Sequence, residues 1–206
     1  MTQQKRVKDG LFIVFEGIDG TGKSSQCKLL TRALLDLGYK VHADKEPSDQ
    51  KYGAIVRASA DTGRLAPEQE LEYFHLDRKM HVDDLINPAK NAGEIVILDR
   101  YYFSTMAYQG QRGFSPQALR AKNEAFAPKP DLLFILDLPV DISLERIGSR
   151  GDTANEFEQK DALQFCRDIF LSVANEPYAH VLDSRQSIEQ IHQSIVAICK
   201  DYISQP

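Results

Sequence analysis

The sequence predicts an α/β fold in which one five-stranded parallel sheet is covered by helices on both faces, giving three layers, α/β/α. Short apolar runs alternate along the chain with longer segments in which apolar residues recur at helical spacing. Five runs are candidate strands: LFIVF (11–15), YKVHA (39–43), EIVILD (94–99), DLLFILDL (131–138) and AHVLD (179–183). The stretches IVIL and LLFIL do not alternate with polar residues, which is typical of strands buried on both faces of a parallel sheet.

Helices are predicted between the strands and after the last one, and three of these segments have clear helical signals. After the first strand, apolar residues recur at helical spacing up to Gly38, which is the predicted helix end: Leu29, Leu30, Ala33, Leu34 and Leu37. Residues 67–92 predict one long helix with Pro67 at a first-turn position. After Ser187 comes an apolar stripe: Ile188, Ile191, Ile195, Val196, Cys199 and Tyr202. Because no repeat, low-complexity tract or linker interrupts this pattern, we expect residues 1–206 to form a single domain.

Composition and charge argue against several function classes. The net charge of −5 argues against a broad nucleic-acid surface, so we expect no nucleic-acid partner and a local basic cluster for any anionic ligand. The polar start MTQQKRVKDG lacks the apolar core of a signal peptide, and the longest apolar runs have five or six residues. These features predict neither export nor a membrane span.

The cysteines and histidines are interpreted as structural residues. Cys27, Cys166 and Cys199 lack metal-ligand spacing, which indicates buried or helical thiols in a reducing compartment, the cytoplasm. The histidines are scattered in the same way and are interpreted as surface or packing residues: His42, His75, His81, His180 and His192.

The stretch GIDGTGKS, residues 17–24, matches G-x-x-x-x-G-K-[ST] between a predicted strand and a predicted helix. Glycines permit positive φ and let backbone N–H groups point into one concavity, to which the helix N-terminus adds its own. In such a cradle Lys23 reaches the β- and γ-phosphates of a nucleotide, and the Ser24 hydroxyl binds Mg²⁺. The alternative is a glycine-rich turn with a surface lysine. The predicted nucleotide-binding residues are Gly17, Ile18, Asp19, Gly20, Thr21, Gly22, Lys23, Ser24 and Ser25.

A second carboxylate is expected at the carboxyl end of the strand EIVILD, where ligands bind in open α/β sheets. Asp99 there could hold Mg²⁺ through water, and the adjacent Arg100 could bind a second phosphate. Asp137 is a rival by the same logic, but its neighbours Leu138 and Pro139 offer no cation. Alternatively, Asp99 and Arg100 form an ion pair at the strand end.

Five motifs, in this order, resemble those of thymidylate kinases: FEGIDGTGKSSQ, YFHLDRKMH, LDRYYFSTMAYQG, APKPDLLFILDL and ERIGSRGD. The resemblance spans residues 11 to about 200, and DRYYFSTMAYQG and APKPD are its most specific parts. It implies a P-loop kinase fold with a short lid at about 148–158. The implied activity is Mg²⁺-dependent transfer of the ATP γ-phosphoryl group to dTMP, giving dTDP and ADP for dTTP synthesis. It also implies a homodimer, for which the long 67–92 helix is a candidate interface.

The resemblance also implies which residues bind the acceptor nucleotide. Asp19 would bind the deoxyribose 3′-hydroxyl, although its carboxylate could instead cap the loop. Phe74 would stack on thymine and Arg78 would reach the base or the phosphate, since residues at i and i+4 share one helix face. Without the resemblance, Phe74 reads as a core aromatic and Arg78 as a surface charge. Arg100 would bind the acceptor phosphate.

Further acceptor residues are implied on the next helix and in one loop. Ser104, Tyr108 and Gln109 would line the base pocket, where Gln109 can pair with an imide edge and Tyr108 either contacts the base or simply packs. In KEPSD, Lys45 stands where the family usually has an arginine, so bidentate phosphate binding is lost. The next residue, Glu46, either assists metal and water placement or is a solvated loop acid.

The segment LERIGSRGDTANEFE resembles the lid that closes over ATP. Arg146 would lie against adenine and Arg150 would reach the transferring phosphoryl group; the alternative is a pair of surface arginines. One subtype of the family carries a catalytic arginine in the P-loop, where this chain has Gly20, and the other carries it deeper in the lid, where this chain has Asn155 or Glu156. Arg150 is therefore the candidate catalytic arginine.

The resulting hypothesis is in-line transfer between two anions that needs no general base, with Lys23, Asp99, Arg100 and Arg150 as catalytic residues. One alternative is a kinase for another nucleotide or a deoxynucleoside. Another is a GTP-dependent switch, but such switches need an N-K-x-D loop, and AKNEA lacks that order.

Overall fold

The structure, a computed structural model, describes residues 4–148 and 156–204, apart from the side chains of 156–158. Its sheet has the strands β1 (Leu11–Glu16), β2 (Val41–Lys45), β3 (Ile95–Asp99), β4 (Leu132–Asp137) and β5 (Ala179–Asp183). The strand order is β2-β3-β1-β4-β5, and every neighbouring pair is parallel. The predicted α/β class with a five-stranded parallel sheet is therefore confirmed.

Helices cover both faces of this sheet: α1 (Lys23–Asp36), α2 (Lys51–Thr62), α3 (Pro67–His81), α4 (Asn87–Asn91), α5 (Tyr102–Gln111), α6 (Pro116–Glu124), α7 (Val140–Gly148), α8 (Glu156–Leu171) and α9 (Ile188–Ser204). One apolar core packs α1 and α9 against the sheet, and a second packs α3, α5 and α8 against the opposite face. The three cysteines are buried in these two cores, as predicted. Within the described ranges, no helix is long and apolar enough to cross a lipid bilayer.

The second strand begins two residues later than its apolar run predicts. The N–H of Tyr39 donates to the carbonyl of Leu34 at 3.1 Å, and Gly38 has a φ of +90°, so Tyr39 closes α1 and is not part of the strand. Because β2 lies at the sheet edge and is exposed from Ala43 onward, apolar side chains do not mark where it ends.

The predicted 67–92 helix exists but is not uniform. Five residues of π-helix, Val82–Ile86, lie between α3 and α4. Pro88 lacks an N–H, and in a regular α-helix its ring would clash with the carbonyl four residues earlier. A wider π turn just before it avoids that contact. The early-turn position of Pro67 is as predicted.

The sheet topology places the P-loop next to the end of β3. Strands β1 and β3 are neighbours, with Phe15 in register with Asp99. The P-loop follows β1, and Arg100 follows β3, so both segments meet at the carboxyl edge of the sheet.

Candidate active site

The P-loop adopts a backbone that excludes larger residues at two of its glycines. Gly17 has a φ of +141°, and a Cβ placed there would lie 2.4 Å from the carbonyl oxygen of Leu136. Gly20 has a φ of +79° and would bring a Cβ within 3.2 Å of the carbonyl oxygen of Ser143. The hydroxyl of Ser143 donates to the carbonyl of Asp19 at 2.6 Å, so α7 supports the loop from behind. The concave loop predicted from the motif is thus present.

Lys23 is the first residue of α1 and lies buried under the loop. Its Nζ donates to the carbonyls of Gly17 at 2.9 Å and Ile18 at 2.8 Å. Burial and the nearby Arg100 charge lower the pKa of Lys23 to about 8, although Asp19 and other carboxylates oppose the change. A cation in this position is available to an anionic ligand in the loop.

Ser24 and Asp99 come together across the ends of α1 and β3. The Ser24 hydroxyl donates to Asp99 Oδ2. Asp99 Oδ1 is buried and has no hydrogen-bond partner within the part of the chain that the structure describes. A hydroxyl beside an orphaned carboxylate oxygen fits Mg²⁺ or one of its bound waters, which prefer oxygen ligands. The described residues contain no cluster of three or more His, Cys, Asp or Glu that could hold a metal alone, so most ligands would come from phosphate and water.

The rival carboxylate, Asp137, has a different partner. Arg167 donates to both of its oxygens, at 2.7 Å and 2.9 Å. This bidentate pair compensates the charge of Asp137, whereas Asp99 keeps an unsatisfied oxygen. The geometry therefore favours Asp99 over Asp137 as the carboxylate open to a cation.

Arg100 turns back toward the P-loop. It has a φ of +73°, which is strained for a residue with a side chain. Its guanidinium pairs with Asp19, donates to the Ser104 hydroxyl at 3.1 Å and the Tyr108 hydroxyl at 3.3 Å, and lies over the Tyr108 ring. The alternative of an Asp99–Arg100 ion pair is thus wrong, because Arg100 pairs with Asp19. Asp19 meets Arg100 at the junction of two cavities.

Two cavities meet at this point. The larger one, of about 920 Å³, is lined by the P-loop and by residues 45–47, Arg57 and Asp99. The smaller one, of about 230 Å³ and called here the acceptor cavity, is lined by Phe74, Arg78, Ser104, Tyr108 and Gln109 among others. Asp19 and Arg100 line both cavities. The side chains that the resemblance assigns to the acceptor nucleotide therefore lie together, apart from Lys45, which lines the larger cavity.

Arg78 is buried, with 1% of its surface exposed, so its interpretation as a surface charge is wrong. Its guanidinium donates to Glu46 at 2.8 Å, Asn123 at 2.6 Å and Thr105 at 3.1 Å, and it lies over the Tyr101 ring. A guanidinium held from several sides presents one fixed face to the acceptor cavity.

Glu46 is likewise buried, which contradicts the alternative of a solvated loop acid. Besides Arg78 it contacts His81 Nδ1 at 3.2 Å, and His81 Nε2 lies 3.4 Å from Asp44. Burial alone would lower the pKa of His81, but the neighbouring carboxylates of Asp44 and Glu46 raise that pKa to about 9. His81 is therefore a charged partner of this loop, a role that its interpretation as a surface or packing residue did not include.

The other side of the same loop is held by Asp77. Its carboxylate accepts from the Ser48 N–H at 2.7 Å, the Ser48 hydroxyl at 2.6 Å and the Gly53 N–H at 3.0 Å. The peptide bond between Glu46 and Pro47 is cis. Helix α3 thus fixes this loop on both sides of the proline.

Glu16, the last residue of β1, is a buried anchor that sequence reasoning missed. Its Oε1 accepts from the N–H groups of Tyr101 at 2.8 Å and Ser104 at 3.0 Å, and its Oε2 accepts from the Ser104 hydroxyl at 2.7 Å. Burial raises the pKa of Glu16 to about 7, although Arg100 and these donors oppose the rise. Glu16 thus accepts from two N–H groups at the start of α5, of which the Ser104 N–H also donates to the Tyr101 carbonyl at 3.1 Å. A charged residue closing the apolar run LFIVFE is the signal that could have revealed it.

Two further cations lie beside the larger cavity. Lys45 pairs with Asp49 at 3.4 Å. Arg57, from α2, donates to the carbonyls of Pro47 and Ser48 and pairs with Asp49 at 2.6 Å. Arg57 was also missed, since nothing in the helical pattern GAIVR distinguishes it from a surface arginine.

The lid predictions are only partly covered by the described residues. Arg146 donates to the carbonyls of Gly20 at 3.1 Å and Ser184 at 3.0 Å, next to the P-loop and not on an open surface. Arg150 and Asn155 lie outside the described residues, as does the side chain of Glu156.

A phosphate-binding loop with a buried lysine, a serine–aspartate pair beside it and a five-stranded parallel sheet beneath it define a P-loop kinase fold. Comparison with known proteins narrows this class. The profile of the thymidylate kinase family matches residues 15–195, and the chain belongs to this family.

Individual relatives agree with that assignment over nearly their whole lengths. A thymidylate kinase of Xanthomonas euvesicatoria pv. vesicatoria (strain 85-10) is 45% identical over 199 residues, which cover 95% of this chain and 87% of the relative. One from Xylella fastidiosa (strain M12) is 41% identical over 194 residues, covering 94% and 88%. One from Akkermansia muciniphila is 46% identical over 184 residues, covering 89% and 88%.

Proposed function

We propose that this protein is a dTMP kinase that transfers the γ-phosphoryl group of ATP to dTMP, giving dTDP and ADP for dTTP synthesis. The observation that carries the proposal is the meeting of a phosphate-binding loop and a narrow aromatic-lined cavity at Arg100 and Asp19. Such an arrangement brings two phosphate chains end to end, which in-line transfer requires.

The donor nucleotide binds along the P-loop, residues 17–25. Its phosphates accept hydrogen bonds from the loop N–H groups and the α1 N-terminus. Lys23 turns its ammonium from the Gly17 and Ile18 carbonyls to the phosphates. Arg146, held against the loop by the Gly20 carbonyl, supports a place for adenine beside α7.

Mg²⁺ is proposed as the cofactor, held by the Ser24 hydroxyl and by Asp99 directly or through water. When bound, the ion would supply positive charge beside the phosphate oxygens. Asp99 would hold the ion or its waters in place, and the acceptor phosphate oxygen needs no general base because it is already anionic.

The acceptor nucleotide places its base in the acceptor cavity. Phe74 stacks on the pyrimidine, Arg78 and Gln109 meet its polar edge, and Asp19 accepts from the 3′-hydroxyl. Arg100, with Lys45 nearby, binds the acceptor phosphate while Ser104 and Tyr108 hold the Arg100 guanidinium in place.

Arg150, in the proposed lid at about 148–158, remains the candidate for neutralising charge on the transferring group. The P-loop offers no arginine, and at Gly20 the positive φ and the close Ser143 carbonyl disfavour any side chain. Replacing Arg150 with alanine should lower kcat by roughly 10³-fold or more.

The proposal also includes a homodimer, cytoplasmic localisation and neither nucleic acid nor membrane as partners. Light scattering coupled to gel filtration would measure the mass in solution; a monomer at every concentration would overturn the dimer. The net charge of −5 supports the exclusion of nucleic acid.

A coupled ADP-release assay tests the proposed activity. With ATP and Mg²⁺, dTMP should give the highest kcat/KM, dUMP somewhat less because a single methyl contact is worth only ~1–3 kcal/mol, and dCMP and free thymidine little. Lys23→Met serves as the inactive control. Highest turnover on another nucleotide or nucleoside, or a preference for GTP over ATP, would favour the alternative kinase or a GTP-dependent switch.

A further inference from the structure

The side-chain amide of Gln109 has its two ends in different surroundings at the wall of the acceptor cavity. Gln109 lines the cavity and is 1% exposed. Its Nε2 donates to Glu70 Oε2 at 2.7 Å. Its Oε1 is buried without a hydrogen-bond partner among residues 4–148 and 156–204. A buried carbonyl oxygen without a donor is unfavourable, so this oxygen is the end that a ligand donor would satisfy.

Glu70, in the first turn of α3, is held as a carboxylate by two arginines. It is 3% exposed; Arg64 Nε donates to its Oε1 at 3.0 Å, and Arg112 donates to its Oε2. Burial alone would raise the pKa of Glu70, but Arg64, Gln109 and Arg112 hold it below its usual range. An ionised carboxylate has acceptors only. Glu70 can therefore form a hydrogen bond with the Gln109 amide only by accepting from the NH₂ group of Gln109.

We propose that Glu70 is a positioning residue that sets the pyrimidine specificity of the acceptor cavity by fixing the orientation of the Gln109 amide. The inference rests on the proposed function, in which Gln109 meets the base. With NH₂ held by Glu70, the oxygen Oε1 is left for the base edge. Thymine and uracil present a donor there, N3–H, whereas cytosine presents an acceptor at N3. Two facing acceptors repel, so this orientation accepts dTMP and rejects dCMP.

Two replacements of Glu70 separate its role as an acceptor from its charge. Glu70→Met has no acceptor, so the Gln109 amide can turn its NH₂ group toward the base. Glu70→Gln is equally uncharged but keeps one acceptor oxygen. Arg112 offers only donors, so the oxygen of the new amide should face Arg112, in the position of Oε2. There it can still accept the hydrogen bond from Gln109 Nε2. Arg64, whose side chain is 58% exposed, can turn toward solvent.

The measurement is the ratio of the dissociation constants of dCMP and dTMP, by calorimetry on the full chain. In Glu70→Met the ratio should fall by about tenfold, since dTMP loses a partner and dCMP gains one, whereas in Glu70→Gln it should stay within about threefold of wild type. An unchanged ratio in Glu70→Met, or equal falls in both variants, would overturn the inference.

A second pair of variants keeps the test valid if Glu70→Met folds poorly. The double variant Glu70→Met/Arg112→Met replaces both members of a largely buried charge pair with apolar groups, which proteins often tolerate. Arg112→Met is its matched control, since it keeps the carboxylate and should keep the ratio. Wild-type protein that neither binds nor phosphorylates dTMP would overturn the proposed function itself. An active wild type with unchanged ratios in the Glu70→Met variants would overturn only the role of Glu70.

Discussion

Asp99 and Asp137 occupy the last positions of two strands, yet their partners give them different properties. Asp137 accepts two hydrogen bonds from one guanidinium, so its charge is balanced within the protein. Asp99 accepts from the Ser24 hydroxyl and retains a buried oxygen without a partner among the described residues. Both residues lie at a strand end. Only the unsatisfied oxygen distinguishes Asp99, the residue proposed to face Mg²⁺, from Asp137.

Replacing each carboxylate with its amide tests this distinction. Asp99→Asn should raise the Mg²⁺ concentration needed for half-maximal activity by about 10- to 100-fold, because an amide attracts the ion and its waters less strongly. Asp137→Asn, the matched control, should leave the Mg²⁺ dependence of dTMP phosphorylation unchanged. Equal Mg²⁺ dependence in the two variants would contradict the proposed role of Asp99.

Glu16 connects the last residue of β1 to the first turn of α5. Three groups donate hydrogen bonds to the Glu16 carboxylate. In Glu16→Gln the NH₂ group faces at least one of these donors, so that hydrogen bond is lost. The expected loss of unfolding free energy is about 1–3 kcal/mol. Because Ser104 also holds Arg100, the KM for dTMP should rise more than the KM for ATP.

The control for Glu16→Gln is Glu124→Gln. Glu124 accepts from the Tyr102 hydroxyl at 3.0 Å near the start of the same helix, but its hydrogen-bond partners among the described residues, Tyr102 and Arg120, do not include Ser104. Thermal melts and steady-state kinetics measure both effects. If both KM values rise together, or only Glu124→Gln affects dTMP, then Glu16 does not act through the start of α5.

At the level of elements, α3 acts as a support for the loop between β2 and α2. Asp77 holds one side of this loop, while Arg78 and His81 hold Glu46 on the other. The same helix carries Phe74 into the acceptor cavity. A shift of α3 would therefore move Glu46 in the loop and Phe74 in the acceptor wall together.

The His81 contact predicts a specific pH dependence of stability. The folded-state pKa of about 9 exceeds the usual 6.5, so the protonated ring stabilises the fold fully below about pH 6.5, and this contribution is lost as the pH rises through 9. Relative to His81→Gln, wild type should be more stable by about 1–3 kcal/mol at low pH and nearly equal above pH 9. Urea unfolding at several pH values measures the difference.

The histidine control for this experiment is His192. Burial lowers its pKa below the usual 6.5, so both its folded and its unfolded forms are neutral above about pH 8. The stability difference between wild type and His192→Gln should therefore stay constant from there to pH 9. If the stability difference between wild type and His81→Gln is also independent of pH over this range, then His81 is not charged in the folded protein.

The sequence predicted those elements whose signals are local. The P-loop depends on eight consecutive residues, and the buried strands on apolar runs, so both were found. The roles of Glu46 and His81 depend on contacts made across 35 residues of chain, which no local pattern encodes. The shift of β2 has a similar cause, because an exposed edge strand carries little apolar signal.

At the scale of the whole molecule, net charge and local charge have opposite signs. The chain carries −5, yet the larger cavity is lined by four cations, Lys23, Lys45, Arg57 and Arg100, against three carboxylates, Asp19, Glu46 and Asp99. Net charge therefore bears on nucleic-acid binding but not on how the protein binds two small anions. That property follows from the topology, which brings these cations from α1, β2, α2 and the end of β3 to one edge of the sheet.

The cysteines test whether residues 1–206 unfold as one unit. Cys27 and Cys199 lie in the core on one face of the sheet, and Cys166 lies in the core on the other. Burial raises the pKa of Cys166 and of Cys199 to about 12, so reaction with a thiol reagent requires opening of the fold.

In a single cooperative domain the three thiols should be protected by the same opening free energy, measured by labelling and peptide mass spectrometry. ATP with Mg²⁺ at 100 times its Kd should slow all three by about a hundredfold. If Cys166 alone reacts faster, or ATP protects only the thiols near the P-loop, the two faces open separately and the chain is not one cooperative unit.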